Sequence, residues 1–332
     1  MRLAFSDLHF HKYKQFNQDN RRIHSMQDFL RYLFKLADKN GIDTIYFSGD
    51  MFNNMEIVYT EAITYIFSTV KCLFDQYPNI TIIAISGNHD HATRNTIDNP
   101  ATSALEMLTV FPNFHLIDDT MTGDAVGEIG TWGIPYYDKP EEFDVALNKM
   151  VIDAKGCDYK AKVLLMHQIM GLGISMVDDD IDPKDPRFDV FDYVLNGHIH
   201  GHSYFGNGVF NVGSPMHRDA SDIGIAKGIL ALNPLQKDEW QFMDLTDKFP
   251  QIVRKHIGDE TTEWENDQYI LWSPPPVEIS EEDVDIREKF THTDHSKGDL
   301  IGNFMDVKKV PKDIEASINT YRPKILQHAN SL

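Results

Sequence analysis

Five short segments of the chain place metal-binding types of side chain directly after an apolar run. They are Asp7-Leu8-His9, Gly49-Asp50, Asn88-His89-Asp90, His167 and His198-Ile199-His200. Carboxylate and amide oxygens together with imidazole nitrogens, and without a thiolate, suit Mn, Fe, Mg or Zn. A single histidine at the end of a strand is usually a hydrogen-bonded structural residue, but five such strand ends in one chain predict a metal centre.

The spacing inside two of these segments supports the same interpretation. In Asp7-x-His9 and in His198-x-His200 the two side chains are two residues apart. On a strand this spacing places both side chains on one face, from which they can approach a metal together. The glycines of "SGD", "SGNHD" and "NGHIHG" allow the chain to turn sharply where the ligands must converge.

Apolar runs alternate with helical patterns over the first two thirds of the chain. Strands are predicted in "RLAFSD", "IDTIYFSGD", "ITIIAISGNHD", "AKVLLMHQ" and "FDYVLNGHIH", and a hairpin that turns at Gly206-Asn207-Gly208 follows them. Helices are predicted from Ile23 to Ala37 and over residues 55–77, 100–110 and 140–154. This alternation predicts an α/β layered fold with a ligand site at the carboxyl ends of the strands.

The composition restricts the classes of partner. The chain has 332 residues and a formal net charge of −20, which argues against a generally basic surface for nucleic acid. A local basic groove, or a phosphate site whose positive charge comes from metal ions, is still compatible with this charge. Cys72 and Cys157 are too few for a disulfide framework, and no apolar stretch approaches the roughly 20 residues of a membrane span. The first residues turn polar too early for a signal peptide, so we expect a cytoplasmic protein without a membrane partner.

The character of the sequence changes after about residue 248, where acidic stretches and a proline run begin. We therefore predict a main domain over residues 1–248 and a small module over residues 249–332. Within this module Val310, Ile314, Ile318 and Tyr321 form one apolar stripe on a predicted short helix. A helix this short needs something to pack against, either its own domain or a partner.

The five segments resemble a known family. "SDLHF", "SGDMFN", "SGNHD", "LLMHQ" and "NGHIHG" match, in order, the signature motifs of the calcineurin-like metallophosphoesterases, and the resemblance covers roughly residues 1–235. It implies a two-sheet α/β sandwich flanked by helices. It also implies two divalent metal ions, with Mn²⁺ as the first expectation and Mg²⁺, Fe²⁺ or Zn²⁺ as alternatives.

The resemblance implies a role for each side chain of the five segments. Asp7, His9 and His200 would hold one metal ion. Asn88, His167 and His198 would hold the other, and Asp50 would bridge the two. His89 would face the leaving-group oxygen instead of a metal, and Asp90 would orient His89. Two such metal ions lower the pKa of a bound water, which attacks phosphorus.

Two further segments resemble one branch of the family. "NPATSALEMLTVFPNFHLIDD" and "VFNVGSPMHRDASDIGIAKGILALN" are similar to the corresponding segments of SbcD-type DNA-repair nucleases, especially bacteriophage recombination endonuclease subunits. This implies a DNA exonuclease or endonuclease in the host cytoplasm, docked through its C-terminal module on an SbcC-type coiled-coil ATPase. Whether the chain also forms a homodimer stays open. The alternatives are a small-substrate phosphomonoesterase or nucleotide phosphodiesterase, and a binding subunit whose metal site only positions DNA.

Basic residues near two of the motifs are candidate substrate contacts. Lys12, Lys14, Arg21 and Arg22 lie with Tyr13 and Phe16 beside the first metal motif. Basic residues interleaved with aromatic ones suit a nucleic-acid backbone with stacked bases, although a solvated loop before an ordinary helix explains them equally well. His217 and Arg218, which follow "GSP", are further candidates for phosphate contact.

Overall fold

Two six-stranded sheets form the centre of the molecule in the computed structural model, which describes residues 1–11, 20–54, 57–117, 125–126, 128–171, 180–262 and 268–273. In spatial order the first sheet contains β12 (Trp240–Asp244), β11 (Gly228–Leu232), β1 (Arg2–Phe5), β2 (Thr44–Phe47), β3 (Thr81–Ala84) and β4 (Phe114–Leu116). Strands β1 to β4 are parallel, whereas β11 runs antiparallel to both β1 and β12.

The second sheet has a similar parallel centre. In spatial order it contains β5 (Ala125–Val126), β6 (Ile129–Ile134), β7 (Ala161–His167), β8 (Tyr193–Gly197), β10 (Val209–Asn211) and β9 (Ser203–Gly206). Strands β6, β7, β8 and β10 are parallel. Strands β9 and β10 form the predicted hairpin, with positive φ at Gly206, Asn207 and Gly208.

Alternate side chains along the strands belong to different hydrophobic cores, as the two-residue period of a strand requires. Ala4 of β1 packs between the two sheets, whereas its neighbours Leu3 and Phe5 pack in the core on the other face of the first sheet. In the second sheet, Val163 of β7 packs between the sheets and Leu164 packs in the core on the outer face. Three cores therefore separate two sheets and two outer layers.

In the part of the chain that the structure describes, three α-helices supply the outer layers. α1 (Arg21–Lys39) and α2 (Thr60–Gln76) contribute to the outer core of the first sheet, and α3 (Pro140–Gly156) contributes to that of the second sheet. The expected α/β sandwich flanked by helices is confirmed. Of the described residues, none belongs to a helix with the length and apolar character that a membrane span requires.

Two of the predicted helices differ from the observed ones. α2 begins at Thr60, five residues later than expected, because Tyr59 directly before it is extended. Residues 100–110 contain a 3₁₀ helix, Ala104–Val110. It follows Ser103 directly, and the side-chain oxygen of Ser103 caps it by accepting a hydrogen bond from the amide of Leu105. In both cases the apolar spacing in the sequence starts before the helix does. Spacing alone therefore does not identify the first residue of a helix.

Two short parallel strands, β13 (Ile252–His256) and β14 (Tyr269–Ser273), follow the sandwich. The hydroxyl group of Tyr269 hydrogen-bonds Ser25 of α1 at 2.9 Å. These strands belong to the compact unit Met1–Pro274. The boundary predicted at residue 248 stays a prediction, since residues 274–332, and with them the predicted helix of Val310 to Tyr321, lie outside the described residues.

Candidate metal centre

The five polar segments all lie at the carboxyl ends of strands of the two sheets. The loops after β1, β2 and β3 come from the first sheet, and the end of β7 and the loop after β8 come from the second. Hydrogen bonds join the loops to one another: the amide of Asp7 donates to the carbonyl of Gly49, and the amide of His9 donates to that of Asp50. The Ser48 hydroxyl donates across the sandwich to the carbonyl of Leu195 in β8. The predicted ligands therefore converge on one place.

Asp7, His9 and His200 form one cluster of ligand atoms. The Nε2 atoms of His9 and His200 are 3.0 Å apart, and each lies 3.9 Å from Oδ1 of Asp7. Asp7 and His9 are buried, while the side chain of His200 is 16% exposed. These are the three residues expected to hold the first metal ion.

Asp50 lies between the two halves of the centre. Its Oδ2 atom is 3.7 Å from Nε2 of His9 and 3.4 Å from Nε2 of His167. The second half continues with Asn88 and His198, whose Oδ1 and Nδ1 atoms are 3.1 Å apart. The imidazole rings of His167 and His198 are 5.2 Å apart and nearly perpendicular. Asp50 thus has the position that a bridging ligand needs.

His167 shows that a cation fits this centre. Its Nδ1 atom is 2.6 Å from the carbonyl oxygen of Ser48, which can only accept a hydrogen bond, so Nδ1 carries the proton. In the neutral ring the other nitrogen, Nε2, has a lone pair, which faces the anionic Oδ2 of Asp50 at 3.4 Å without hydrogen-bond geometry. Burial alone would lower the pKa of His167, but the Asp50 carboxylate outweighs burial and raises it to about 9. Two electron-pair donors that face each other in a buried site need a proton or a metal ion between them.

The backbone at the ligands is unusual. Asp7, His9, Asp50 and His198 have positive φ angles of 53°, 49°, 60° and 73°, and among the described residues only two other non-glycine residues have positive φ. This left-handed conformation costs free energy for a residue with a side chain and is found preferentially at functional sites. The sequence predicted that glycines would make these turns. Gly49 does so, with a φ of 90°, but elsewhere in these turns the ligands themselves adopt the left-handed conformation.

Gly87 and Gly197, which precede candidate ligands, have a different role: they leave space for neighbouring atoms. A Cβ atom on Gly87 would lie 2.1 Å from Oδ1 of Asp50, and one on Gly197 would lie 2.1 Å from the carbonyl oxygen of Ser48. Both distances are far below van der Waals contact, so no other residue fits without displacing a candidate ligand or its support.

His89 lies at the edge of the centre. Its backbone amide donates to Oδ1 of Asp50 at 2.9 Å, and its ring packs edge-on against that of His9. It borders a cavity of about 150 Å³. One of its ring nitrogens lies within 4.8 Å of ligand atoms of His9 and Asp50, so distance alone does not separate His89 from the ligands. Burial lowers the pKa of His89, so its ring is neutral at neutral pH.

Asp90 does not have the partner that was expected. Its Oδ2 atom accepts the backbone amides of Asp50 at 2.8 Å and Gly87 at 3.0 Å, and its Oδ1 atom accepts that of Phe52 at 2.9 Å. The prediction that Asp90 orients the His89 ring is therefore wrong. Asp90 instead holds the loop that carries Asp50 against the loop that carries Asn88 and His89, because its oxygens satisfy amides of both.

The predicted substrate contacts divide into four groups. Arg218 is at the metal centre, where its Nη1 atom lies 3.5 Å from Nε2 of His9 and its side chain is 30% exposed. Arg21 lies on the surface of α1, with its guanidinium group over the Tyr269 ring. Lys12 and Lys14 lie outside the described residues.

Arg22 and His217 form the fourth group, and neither is placed for substrate contact. The Arg22 guanidinium group is 3% exposed and donates to the carbonyl oxygens of His217 and Arg218. His217 is 4% exposed, and its Nδ1 atom accepts the amide of Ile252. This corrects the expectation for both: they fix the loop that carries Arg218, and Arg218 alone of the three reaches the centre.

Several supporting residues were not predicted. The Ser6 hydroxyl donates to Oδ2 of Asp7, the Ser48 carbonyl holds His167, and the Tyr136 ring stacks on that of His198. Asp222 and Lys227 form a buried ion pair beside His200. The serines precede motif residues, which is a weak signal, but nothing in the sequence around Asp222 and Lys227 distinguishes them from surface charges.

Comparison with known proteins assigns the family. The model of the family described as calcineurin-like phosphoesterase matches residues 2–202, which include every candidate metal ligand. The chain belongs to this family. Among solved structures it is similar to a nuclease MPE from Pseudomonas putida, at 14% sequence identity and a TM-score of 0.29, over 60% of this chain and 62% of that chain. No curated protein sequence matches the chain.

Proposed function

We propose that the protein is a two-metal-dependent DNA nuclease of the SbcD type, active in the cytoplasm in DNA recombination, repair or replication. One observation carries the proposal. The segment Val209–Asn233, whose sequence resembles SbcD-type nucleases, forms one wall of the metal centre. It brings Arg218 to 3.5 Å from His9 and places Asp222 beside His200. The segment whose sequence resembles SbcD-type nucleases is therefore also a segment that would contact the substrate.

The chain's own residues fit phosphodiester hydrolysis. When bound, two divalent ions would lower the pKa of an attacking water and stabilise negative charge on the phosphate. Asp7, His9 and His200 would hold one of them, Asn88, His167 and His198 the other, and Asp50 would lie between. The neutral His89 ring, which borders the cavity described above, would donate a hydrogen bond to the departing oxygen.

Arg218 would bind a phosphate oxygen of the substrate. Its guanidinium group is partly exposed, carries a fixed positive charge and lies at the edge of the candidate ligands. Such a group can donate two parallel hydrogen bonds to a phosphate. The nearest carboxylate, Asp219, is 3.6 Å from its Nε atom and is itself half exposed, so the pair is weak enough for Arg218 to turn to a substrate.

The test is hydrolysis of linear duplex and single-stranded DNA with Mn²⁺, beside p-nitrophenyl phosphate, bis-p-nitrophenyl phosphate and a cyclic nucleotide. We expect degradation of DNA with a kcat/KM far above that for the small substrates. Arg218→Gln should lower kcat/KM on DNA by about 10–100-fold, the effect of a charge-assisted hydrogen bond. Arg31→Gln is the matched control, because Arg31 is an exposed arginine on α1 whose ion pair is with Asp28. Wild-type protein that hydrolyses only the small substrates would overturn the proposal.

A second candidate is a phosphomonoesterase or nucleotide phosphodiesterase with a small substrate. The net charge of −20 favours it, because this charge repels a polyanion. The same set of assays decides between the two. Efficient turnover of one small phosphoester, without loss of DNA ends, would establish this second function.

The partner in the proposed function is an SbcC-type coiled-coil ATPase. Such a partner would supply much of the positive charge for DNA that this chain lacks, and the apolar stripe of Val310, Ile314, Ile318 and Tyr321 would contact it. Truncation after Lys309 should preserve Mn²⁺-dependent cleavage of simple ends and lose ATP-stimulated degradation. Equal co-purification of the ATPase with the full and truncated chains would contradict this docking role.

A further inference from the structure

A buried ion pair adjoins the candidate ligand His200. Nζ of Lys227 lies 2.7 Å from Oδ1 of Asp222, and their side chains are 1% and 2% exposed. A buried pair of this kind is a weak contributor to stability, because the desolvation of both charges offsets most of their attraction. Its position therefore calls for an explanation other than stability.

The ammonium group of Lys227 is fully used. Besides Asp222 it donates to the Ser214 hydroxyl at 2.9 Å and to the main-chain carbonyl of His200 at 3.0 Å. Three partners match the three N–H bonds of the group. Lys227 thus holds the backbone of the candidate ligand, and the Ser214 amide donates to the same carbonyl oxygen.

Asp222 acts on the side chain of the same residue. Its Oδ1 atom lies 3.4 Å from Nδ1 of His200. Its Oδ2 atom accepts the amide of Arg218 at 2.7 Å. The other ring nitrogen of His200, Nε2, is the one that lies 3.9 Å from Asp7 and 3.0 Å from His9. A carboxylate that faces Nδ1 favours the tautomer with its proton there and with the Nε2 lone pair directed at the centre.

We propose that Asp222 and Lys227 are positioning residues that hold His200 as a metal ligand. Asp222 sets the orientation and tautomer of the imidazole, and Lys227 holds the main chain of His200 and keeps Asp222 in place. Outer residues that orient a metal-bound histidine change metal affinity when they are replaced. The proposal rests on the metal centre of the proposed function and does not depend on DNA as the substrate.

The two halves of the centre should therefore respond differently to the pair. His200 belongs with Asp7 and His9, whereas His167 is held by the Ser48 carbonyl and has no contact with Asp222 or Lys227 among the hydrogen bonds described. Loss of the pair should weaken the binding of one metal ion and leave the binding of the other unchanged. A role limited to stability of the loop would change both or neither.

The test is titration of the metal-free full chain with MnCl₂ by isothermal calorimetry, with electron paramagnetic resonance of the bound Mn²⁺. Wild-type protein should bind two ions. Asp222→Asn should bind one of them about 10–100-fold more weakly, with loss of the spin-coupled signal at stoichiometric Mn²⁺, and the affinity for the other ion should stay the same. Asp153→Asn is the control, because the Asp153 carboxylate accepts a hydrogen bond from Trp132 of the other core and is remote from the ligands in the fold.

The double variant Asp222→Asn/Lys227→Met separates positioning from folding. Removing the ammonium group as well leaves no unpaired buried charge, so stability measured by urea unfolding should recover, while the weak Mn²⁺ affinity should persist. If affinity recovers together with stability, or if Asp222→Asn binds both ions like wild type, the proposal is overturned. Wild-type protein that binds no Mn²⁺ would instead overturn the metal centre and with it the proposed function.

Discussion

Two buried carboxylates in different loops adjoin the candidate metal centre, and they are stabilised in different ways. Asp90, in the loop after β3, accepts three hydrogen bonds, all of them from backbone amides. Asp222, in the segment between β10 and β11, is paired with the Lys227 ammonium group and the His200 ring. Burial and the nearby Asp50 carboxylate raise the pKa of Asp90 to about 7. Burial alone would also raise the pKa of Asp222, but His200 and Lys227 outweigh it and hold that pKa well below its usual range.

The difference shows two solutions to one problem. A carboxylate can be buried as an anion if the chain itself provides a cation, as Lys227 does for Asp222. Asp90 has backbone dipoles instead, and its ionised form would gain most from cations bound at the adjacent centre. The Asp90 side of the site should therefore depend on the metal ions, and the Asp222 side should be largely formed without them.

The largest expected effect comes from Asp50→Ala. The substitution removes the carboxylate oxygen atoms that lie between His9 and His167, so the rate of phosphoester hydrolysis should fall to the uncatalysed background. In hydrogen exchange, residues 87–91 should exchange faster, because Asp50 also accepts the amide of His89, whereas residues 218–228 should be unchanged. Full hydrolysis by this variant, or by the wild type with all divalent metal removed, would contradict the bridging role.

His89→Asn should give the next largest effect. It replaces the imidazole, the candidate proton donor to the leaving group, by a shorter amide that cannot transfer a proton, and it removes no predicted ligand. Phosphoester hydrolysis should therefore slow by about 10²–10⁴-fold while two Mn²⁺ ions stay bound. His200→Asn, on the Asp222 side, is the comparison and should lose one ion. Elemental analysis of both variants is the measurement, and loss of an ion from His89→Asn would show that His89 is itself a ligand.

Asparagine substitution of the two carboxylates should destabilise the metal-free protein unequally. Asp222→Asn leaves Lys227 buried without an anion, which costs about 3–5 kcal/mol. Asp90→Asn leaves a buried backbone amide without an acceptor, which costs about 1–3 kcal/mol. Urea unfolding in the presence of a chelator measures the free energy of unfolding of both variants. A larger loss of stability in Asp90→Asn than in Asp222→Asn would contradict the comparison.

The smallest expected effect is the difference between two variants in how much stability they gain from Mn²⁺. Mn²⁺ at 100 times its Kd stabilises the folded state by about 2.7 kcal/mol for each site. Thermal unfolding of the wild type with Mn²⁺ and with chelator should show this gain, and Asp90→Asn should show less of it than Asp153→Asn. An equal gain in the two variants would show that Asp90 does not depend on the metal ions.

The residues of the metal centre could be predicted because each follows a strongly apolar strand. Parallel strands of a sheet direct their carboxyl ends to one edge, so Asp7, Asp50 and Asn88 had to approach one another once β1 to β3 were recognised. The approach of His167 and His198 from a second sheet came from the family resemblance, since no local pattern shows how two sheets face each other.

The supporting contacts could not be predicted, because they depend on residues far apart in the chain. Arg22 looks like a surface residue in "NQDNRRIHS", yet its partners are His217 and Arg218, almost two hundred positions away. Asp90 follows His89 directly but turns its oxygens to the amides of a different loop. Sequence spacing describes neighbours along one strand, and these contacts join separate loops.

The position of β1 has a consequence for synthesis of the protein. β1 is synthesised well before β11, and it pairs on one side with β2 and on the other with β11, which ends at Leu232. At a translation rate of 5–20 residues per second, the edge of β1 that pairs with β11 stays without its partner strand for on the order of 10–45 s. A chain released early, before His200, lacks part of the centre as well as that edge. Prematurely terminated products should therefore lack a complete candidate metal centre as well as being incompletely folded.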